Sequence, residues 1–235
     1  MGAHRAEELE SYRKSGFGPV IWVEAQESLI PLLTQRTLNS DDQVFQGVAW
    51  SNTGEQFSLK VASNSQSTSV FDFAAHSKHY PHITTIKTLD ATTTRLDDLL
   101  PSEAKFDFVN LDIQGAELEA LIGLGRLMAS TKWVYSEVNS EELYSGIPLV
   151  GEIDDFLKSW NLIRLVTVWN QAGWGDALYG RRHPCALARV FQRFGASLIT
   201  RKFRANQKPG LRALGFCQST MRLLARNVRR AQSKH

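Results

Sequence analysis

Apolar positions recur in two rhythms along the first 180 residues. "VIWVEA" (20–25), "FDFVNLDI" (106–113) and "KWVYSEVN" (132–139) are short apolar runs that close on polar side chains: Glu24, Asp112, and Glu137 with Asn139. Runs this short and this apolar read as strands buried on both faces. Between them the spacing changes. "SLIPLLTQRTL" (28–38) carries Pro31 in its first turn, Leu118, Leu121 and Ile122 share one face of a segment from Ala116 to Met128, and "GEIDDFLKSW" (151–160) turns Ile153, Phe156 and Leu157 inward. These predict amphipathic helices. One more helix is expected over 4–15, stopped by "SGFGP".

The remaining segments fill in a topology. "QVFQGVAW" (43–50) predicts a strand, turned by "SNTGE" into a second strand, "QFSLKVA" (56–62). "SNSQSTS" (63–69) is a polar loop, and "TTTRLDDLL" (92–100) a short strand leading into a helical turn. "LIRLVTVWN" (162–170) and "DALYG" (176–180) are strands joined by "QAGWG", a turn short enough to make the last strand antiparallel. No internal repeat is present. Alternating apolar strands and amphipathic helices predict an α/β fold of three layers, a mostly parallel, doubly wound Rossmann-like sheet with an antiparallel last strand.

Charge divides the chain. The net charge is +3, yet residues 1–180 hold 13 Lys and Arg against 24 Asp and Glu, net −11, while 181–235 hold 14 Lys and Arg and no acid, net +14. The expected organisation is therefore an acidic domain over 1–180 and a basic, helical extension over 181–235. Two distant cysteines, Cys185 and Cys217, make neither a disulfide framework nor a zinc pattern. No apolar run is long enough to span a bilayer. The charged first fifteen residues do not form a signal-peptide core, so a cytoplasmic protein is expected.

In open α/β sheets ligands bind beyond the carboxyl ends of the strands. Glu24 follows the strand after the first helix, where nucleotide-binding folds place an acid on the ribose hydroxyls, and that role is expected here over a solvated loop acid. Asp112 admits two compatible roles, a site acid or a cap on the N–H groups of the 116–128 helix. Glu117, in the first turn of that helix, is favoured by the helix dipole and is a secondary site candidate. Gly115 predicts a tight turn or a close backbone approach. Glu137 and Asn139 either line a site or are merely polar residues at a strand exit.

Taken in order, "GAHRAEELESYRKSG", "VIWVEA", "SNSQSTSVF", "TTTRLDDLL", "NLDIQGAELEALIG", "KWVYSEVNSEELYSG", "EIDDFLKSWNL" and "GWGDALYG" resemble the FkbM family of S-adenosylmethionine-dependent methyltransferases, over nearly all of 2–180. The resemblance implies a class I methyltransferase fold and methyl transfer to a hydroxyl oxygen of a sugar or secondary metabolite. It places Gly2, Ala3 and His4 in the glycine-rich first motif beside the methionine part of the cofactor, and Glu24 on the ribose. Gln46 to Trp50, with Ala49 among them, border the adenine, and Asp112 sits where cofactor and substrate meet. The sulfonium brings its own activation, so the protein must align the hydroxyl oxygen with the methyl carbon and take up a proton. Asp112 is the first candidate for that base, Glu137 the second and His76 the third. No metal ligand set stands out. The family's first strand is missing before Gly2, and a start placed too late is the favoured explanation, ahead of another segment filling the slot or a defective product.

His76, His79 and His82 in "HSKHYPH" read as a solvated loop rather than a metal site, since Pro81 interrupts any helix. Trp169 is expected in the core, and Trp174, between two glycines, nearer a site. The basic tail, with apolar residues at helical spacing, is expected to pack on its own domain first, to lie on an anionic membrane second, and to bind nucleic acid third. Two other functions compete: a nucleic-acid methyltransferase, disfavoured because "NLDIQG" lacks the proline-rich motif of base-amine enzymes, and a non-catalytic protein acting through its tail.

Overall fold

The computed structural model describes residues 1–38, 40–63, 68–71 and 82–181. They belong to two compact units. The first takes Met1–Glu7 and the chain from Pro19 onward; the second includes Glu8–Gly18. In that second segment the helix α1 (Leu9–Lys14) ends on Ser15, whose N–H donates to the carbonyls of Ser11 and Tyr12, and Tyr12 meets Phe17 edge-on at 5.7 Å.

In the first unit β1 (Ile21–Glu24) runs parallel to β2 (Gln43–Gln46), with Ile21 opposite Gln43 and Glu24 opposite Gln46. The connection is α2 (Ile30–Thr37), which opens on Pro31 where a missing N–H costs nothing. Asp42 fixes the start of the pair by accepting from the N–H of Val20 at 2.8 Å and the indole of Trp22 at 2.9 Å. The chain then breaks at Gly47 and re-enters as β3 (Val48–Ala49), which joins a second sheet in the order β3-β5-β4. There β4 (Gln56–Ala62) and β5 (Thr85–Thr94) are antiparallel and β3 is parallel to β5. The short helix α3 (Leu96–Leu99) follows.

The third sheet has the order β6-β7-β9-β8. It pairs β6 (Phe108–Leu111) parallel to β7 (Trp133–Asn139) and brings β9 (Trp174–Gly180) in antiparallel between β7 and β8 (Ile163–Trp169). Its central strand, β7, is buried at six of seven positions. Helices α4 (Glu117–Gly123) and α5 (Val150–Ser159) supply Ala120, Leu121, Ile153 and Leu157 to a core shared with Val109, Leu111, Val134, Val138 and Tyr179. Glu152 helps to start α5 by accepting from the Leu149 N–H at 2.8 Å.

One close approach locks α4 in place. A Cβ on Gly123 would lie 2.0 Å from the carbonyl oxygen of Trp50. Because backbone cannot yield as a side chain does, Gly123→Ala is expected to destabilise the fold by about 3 kcal/mol, the upper end for overpacking. Urea denaturation measures it, and an unchanged midpoint refutes the close packing.

Several expectations need correction. The helix expected over 4–15 is confined to Leu9–Lys14, because His4 and Ala6 have φ of 45° and 54° and turn the chain before it. The strand expected over 43–50 is two strands in different sheets, divided at Gly47, where a Cβ would meet Leu99 and Thr94 at 2.9 Å. The helix expected to Met128 ends at Gly123, and Gly125, with φ of 46°, turns the chain into a 3-10 segment. β5 begins at Thr85, well before the expected 92. Its exposed Thr, Lys and Asp residues give no apolar signature. The sheet is less parallel than expected: three of the six described strand pairings are antiparallel, because the β4–β5 hairpin adds one. The expected tail over 181–235 lies, apart from Arg181, outside the described residues.

Candidate active site

The first three residues stand between two sheets. The Met1 ammonium donates to the carbonyl of Asn110 at 2.7 Å, the Asp112 N–H donates to the carbonyl of Met1 at 3.3 Å, and the Ala3 N–H donates to the carbonyl of Val23 at 3.1 Å. One side of this short segment is therefore tied to β6 and the other to β1. Gly2 makes the fit feasible: its φ is +69°, and a Cβ there would lie 1.9 Å from the Asp112 carbonyl oxygen.

Glu24 is 5% exposed and does two structural jobs. Its Oε2 accepts from the His4 N–H at 2.7 Å and its Oε1 from the Gln26 N–H at 2.9 Å. One carboxylate thus holds the turn after β1 and the strained residue after the glycine turn. His4 is oriented further by Glu7, whose Oε1 lies 2.7 Å from Nδ1. That hydrogen bond outweighs burial and holds the imidazole above its usual pKa.

These residues line an open cleft of about 660 Å³ when the solvent space at its mouth is included. Gly2, His4 and Glu24 form one part, Gly47, Val48 and Ala49 another, and Asp112 and Gln114 a third. Of the expected cofactor residues, Gly2, His4, Glu24, Ala49 and Asp112 are thereby brought together. Ala3 is buried and does not line the cleft; its backbone ties the segment to β1.

Beyond Asp112 the chain makes a turn that the spacing alone did not explain. Gln114 has φ of +54° and Gly115 φ of +104°. Glu117, 1% exposed, accepts from the N–H of Ile113 at 2.9 Å with one oxygen and from the N–H of Gly115 at 2.9 Å with the other. The turn before α4 is therefore fastened by Glu117 from the first turn of the helix. Burial, reinforced by the charge of Asp112 and opposed by those backbone N–H groups, pushes the Glu117 carboxyl up to about 7. Gly115 is packed as closely as its position predicted: a Cβ would lie 2.5 Å from Ile147.

Asp112 joins a different network. The Gln114 amide nitrogen donates to Asp112 Oδ1 at 2.9 Å and to Glu137 Oε2 at 3.3 Å. The Tyr144 hydroxyl donates to Gln114 Oε1 at 2.8 Å, and the Ser69 hydroxyl donates to the Gln114 carbonyl at 2.7 Å. Two of the expected base candidates, Asp112 and Glu137, are thus bridged by one amide. The third, His76, lies outside the described residues, as does His79, while His82 is exposed.

Sequence reasoning missed Gln114, Tyr144 and Asp176. Asp176 is the strand partner of Glu137 across β7 and β9, so the two acids share a face of the sheet. The register of the last strand carried that signal, and it can be read only once β9 is paired with β7. Asn139 is 1% exposed at the end of β7. Trp169 is not in the core as expected but 38% exposed at the end of the edge strand β8, and Trp174 packs against Leu143, Tyr144 and Ile147.

Among the described residues no group of three or more His, Cys, Asp and Glu could hold a metal ion, and no helix is long and apolar enough to cross a membrane.

Two comparisons bear on this arrangement. The family model described as the methyltransferase FkbM domain matches residues 1–162. The 2-O-methyltransferase NoeI of Sinorhizobium fredii (strain NBRC 101917 / NGR234) is 35% identical over 78 residues, which cover 32% of this chain and 32% of that protein. The match therefore spans about a third of that relative's length.

Proposed function

The chain belongs to the FkbM methyltransferase family, and from that premise we propose that it transfers a methyl group from S-adenosylmethionine to a hydroxyl oxygen of a sugar or secondary metabolite. The methyltransferase domain is residues 1–180, and 181–235 is a basic extension. The observation that carries the proposal is the meeting of Gly2, Glu24 and Asp112 in one cleft. Likeness to a 2-O-methyltransferase supports oxygen as the acceptor atom.

The residues suit this cofactor. A carboxylate offers about four lone-pair positions. Backbone N–H groups take two of those on Glu24, and the others suit the paired hydroxyls of a ribose. Ala49 and Val48 offer an apolar wall for an adenine, and the bare backbone of Gly2 allows the methionine part a close approach. The same reading makes the three sheets segments of one doubly wound sheet. Met1–Ala3 would be its middle, since they bond to Val23 on one side and to Asn110 and Asp112 on the other.

The bound sulfonium supplies an activated methyl group and needs no further activation from the protein. The chain's own task is to hold the acceptor oxygen in line and to receive its proton. Asp112, at the edge of the cleft, is the residue placed to accept it, with Glu137 next to it across Gln114. The acids also make the cleft attractive to a cation.

Calorimetric titration with S-adenosylmethionine, followed by transfer of its labelled methyl group to a panel of methyl glycosides, tests the proposal. Saturable binding and label on a hydroxyl oxygen are expected. A folded chain that does not bind the cofactor overturns it.

A further inference from the structure

Three carboxylates stand side by side at one edge of the third sheet. The β6–β7 register pairs Leu111 with Ser136, and one step further it brings Asp112 beside Glu137. The β7–β9 register then sets Glu137 opposite Asp176. Like charges directly across neighbouring strands repel, and the pair nearest the cleft lies where an acceptor hydroxyl must be received. A donor set between the two would hold them apart and favour their charged forms.

Gln114 occupies that position. Its amide nitrogen contacts both carboxylates, at 2.9 Å to Asp112 and 3.3 Å to Glu137. An amide can be turned over, so its bridging sense must be fixed, and the Tyr144 hydroxyl does this by donating to Oε1 at 2.8 Å. Only the oxygen can accept that bond, which leaves the nitrogen for the acids. The backbone is held as firmly. Gln114 keeps a φ of +54°, unusual for a side chain that long, while its carbonyl accepts from Ser69. The strain is offset by contacts to Ser69, Asp112, Glu137 and Tyr144, and it aims the amide at the gap between the two carboxylates.

We propose that Gln114 is a positioning residue of the methyl-transfer site, holding Asp112 and Glu137 as a fixed, ionised pair that receives the acceptor hydroxyl. The inference rests on the methyltransferase reading for its use and on geometry for its existence. Hydrogen bonds to the charged form of an acid favour that form, and a third negative charge in their place disfavours it. Ionisable groups facing the pair include Asp176 across β9, Tyr144, and Glu117, whose carboxyl the charge of Asp112 helps to push up.

The test follows the carboxyl carbons of Asp112 and Glu137 by NMR titration in the full chain, with Asp112→Asn and Glu137→Gln providing the assignments. Gln114→Met is expected to move both titrations to higher pH, and Gln114→Glu to move at least one of them by about a unit or more. Tyr144→Phe, which only frees the amide to turn over, should give a smaller shift in the same direction. It keeps the test decisive should the Gln114 variants fail to fold. S-adenosylmethionine affinity is measured on the same variants, because Gln114 itself lines the cleft. Unmoved titrations in folded variants overturn the proposal. A loss of cofactor affinity without any titration change also overturns it, by assigning Gln114 a purely structural part. A wild-type chain that binds no cofactor would instead refute the methyltransferase reading, and the titrations would still decide whether Gln114 governs the pair.

Discussion

Glu24→Ala is expected to weaken S-adenosylmethionine binding by about 100-fold, or roughly 3 kcal/mol, within the range for removing one partner of a buried, charged hydrogen-bonded group. Two losses add. The ribose hydroxyls lose their acceptor, and the N–H groups of His4 and Gln26 lose theirs inside a buried turn. The second loss loosens the residue that follows the glycine turn, so the cleft itself changes shape. Glu24→Gln separates the two. Its amide oxygen can still accept from one N–H, while its NH2 faces the other N–H as a second donor. Calorimetry should therefore show Gln intermediate between Glu and Ala. Equal affinity in wild type and Glu24→Ala would remove Glu24 from the site and leave it as a turn fastener alone.

Why that acid was readable in advance and others were not is a matter of range. Glu24 closes an apolar run, and a run that apolar has few folds open to it, so its exit was placed by local pattern alone. The same holds for Asp112 and Glu137 after β6 and within β7. The pattern could not show that the three belong to two different sheets, or that Met1–Ala3 ties those sheets together through Val23, Asn110 and Asp112, because those bonds reach from the first residues to beyond position 110. Gln114 stands in the "NLDIQG" motif with nothing local to set it apart. Its importance lies in an amide reaching Glu137 and Tyr144 from a left-handed backbone, and neither the φ nor the partners have a local signature. β5 is longer than its sequence suggests for the opposite reason. Its side chains are mostly exposed, so the hydrogen-bond ladder with β4 determines it rather than an apolar face.

Glu117 should make the fold lose stability as the solution becomes less acidic, which is opposite to the usual effect of a carboxylate. Its folded carboxyl sits at about 7 against an ordinary value of 4.5, so the folded chain holds that proton more tightly than the unfolded one. The stability it contributes is complete below pH 4.5 and is lost as pH rises toward 7, a change on the order of 3 kcal/mol. Glu117→Gln has no proton to lose, and it keeps one acceptor for the pair of N–H groups at Ile113 and Gly115 while setting a donor against the other. At pH 4.5 the variant should therefore be the less stable chain, by about 1–3 kcal/mol for the unsatisfied group. Near pH 8 the wild type has taken on a buried charge beside Asp112 and the difference should vanish or reverse. Urea denaturation of both chains across that interval measures the crossing. Two stability curves separated by a constant offset would show that Glu117 stays ionised throughout. The backbone N–H groups of the turn would then outweigh burial, and the carboxylate row at Asp112 would have a fourth permanent negative charge beside it.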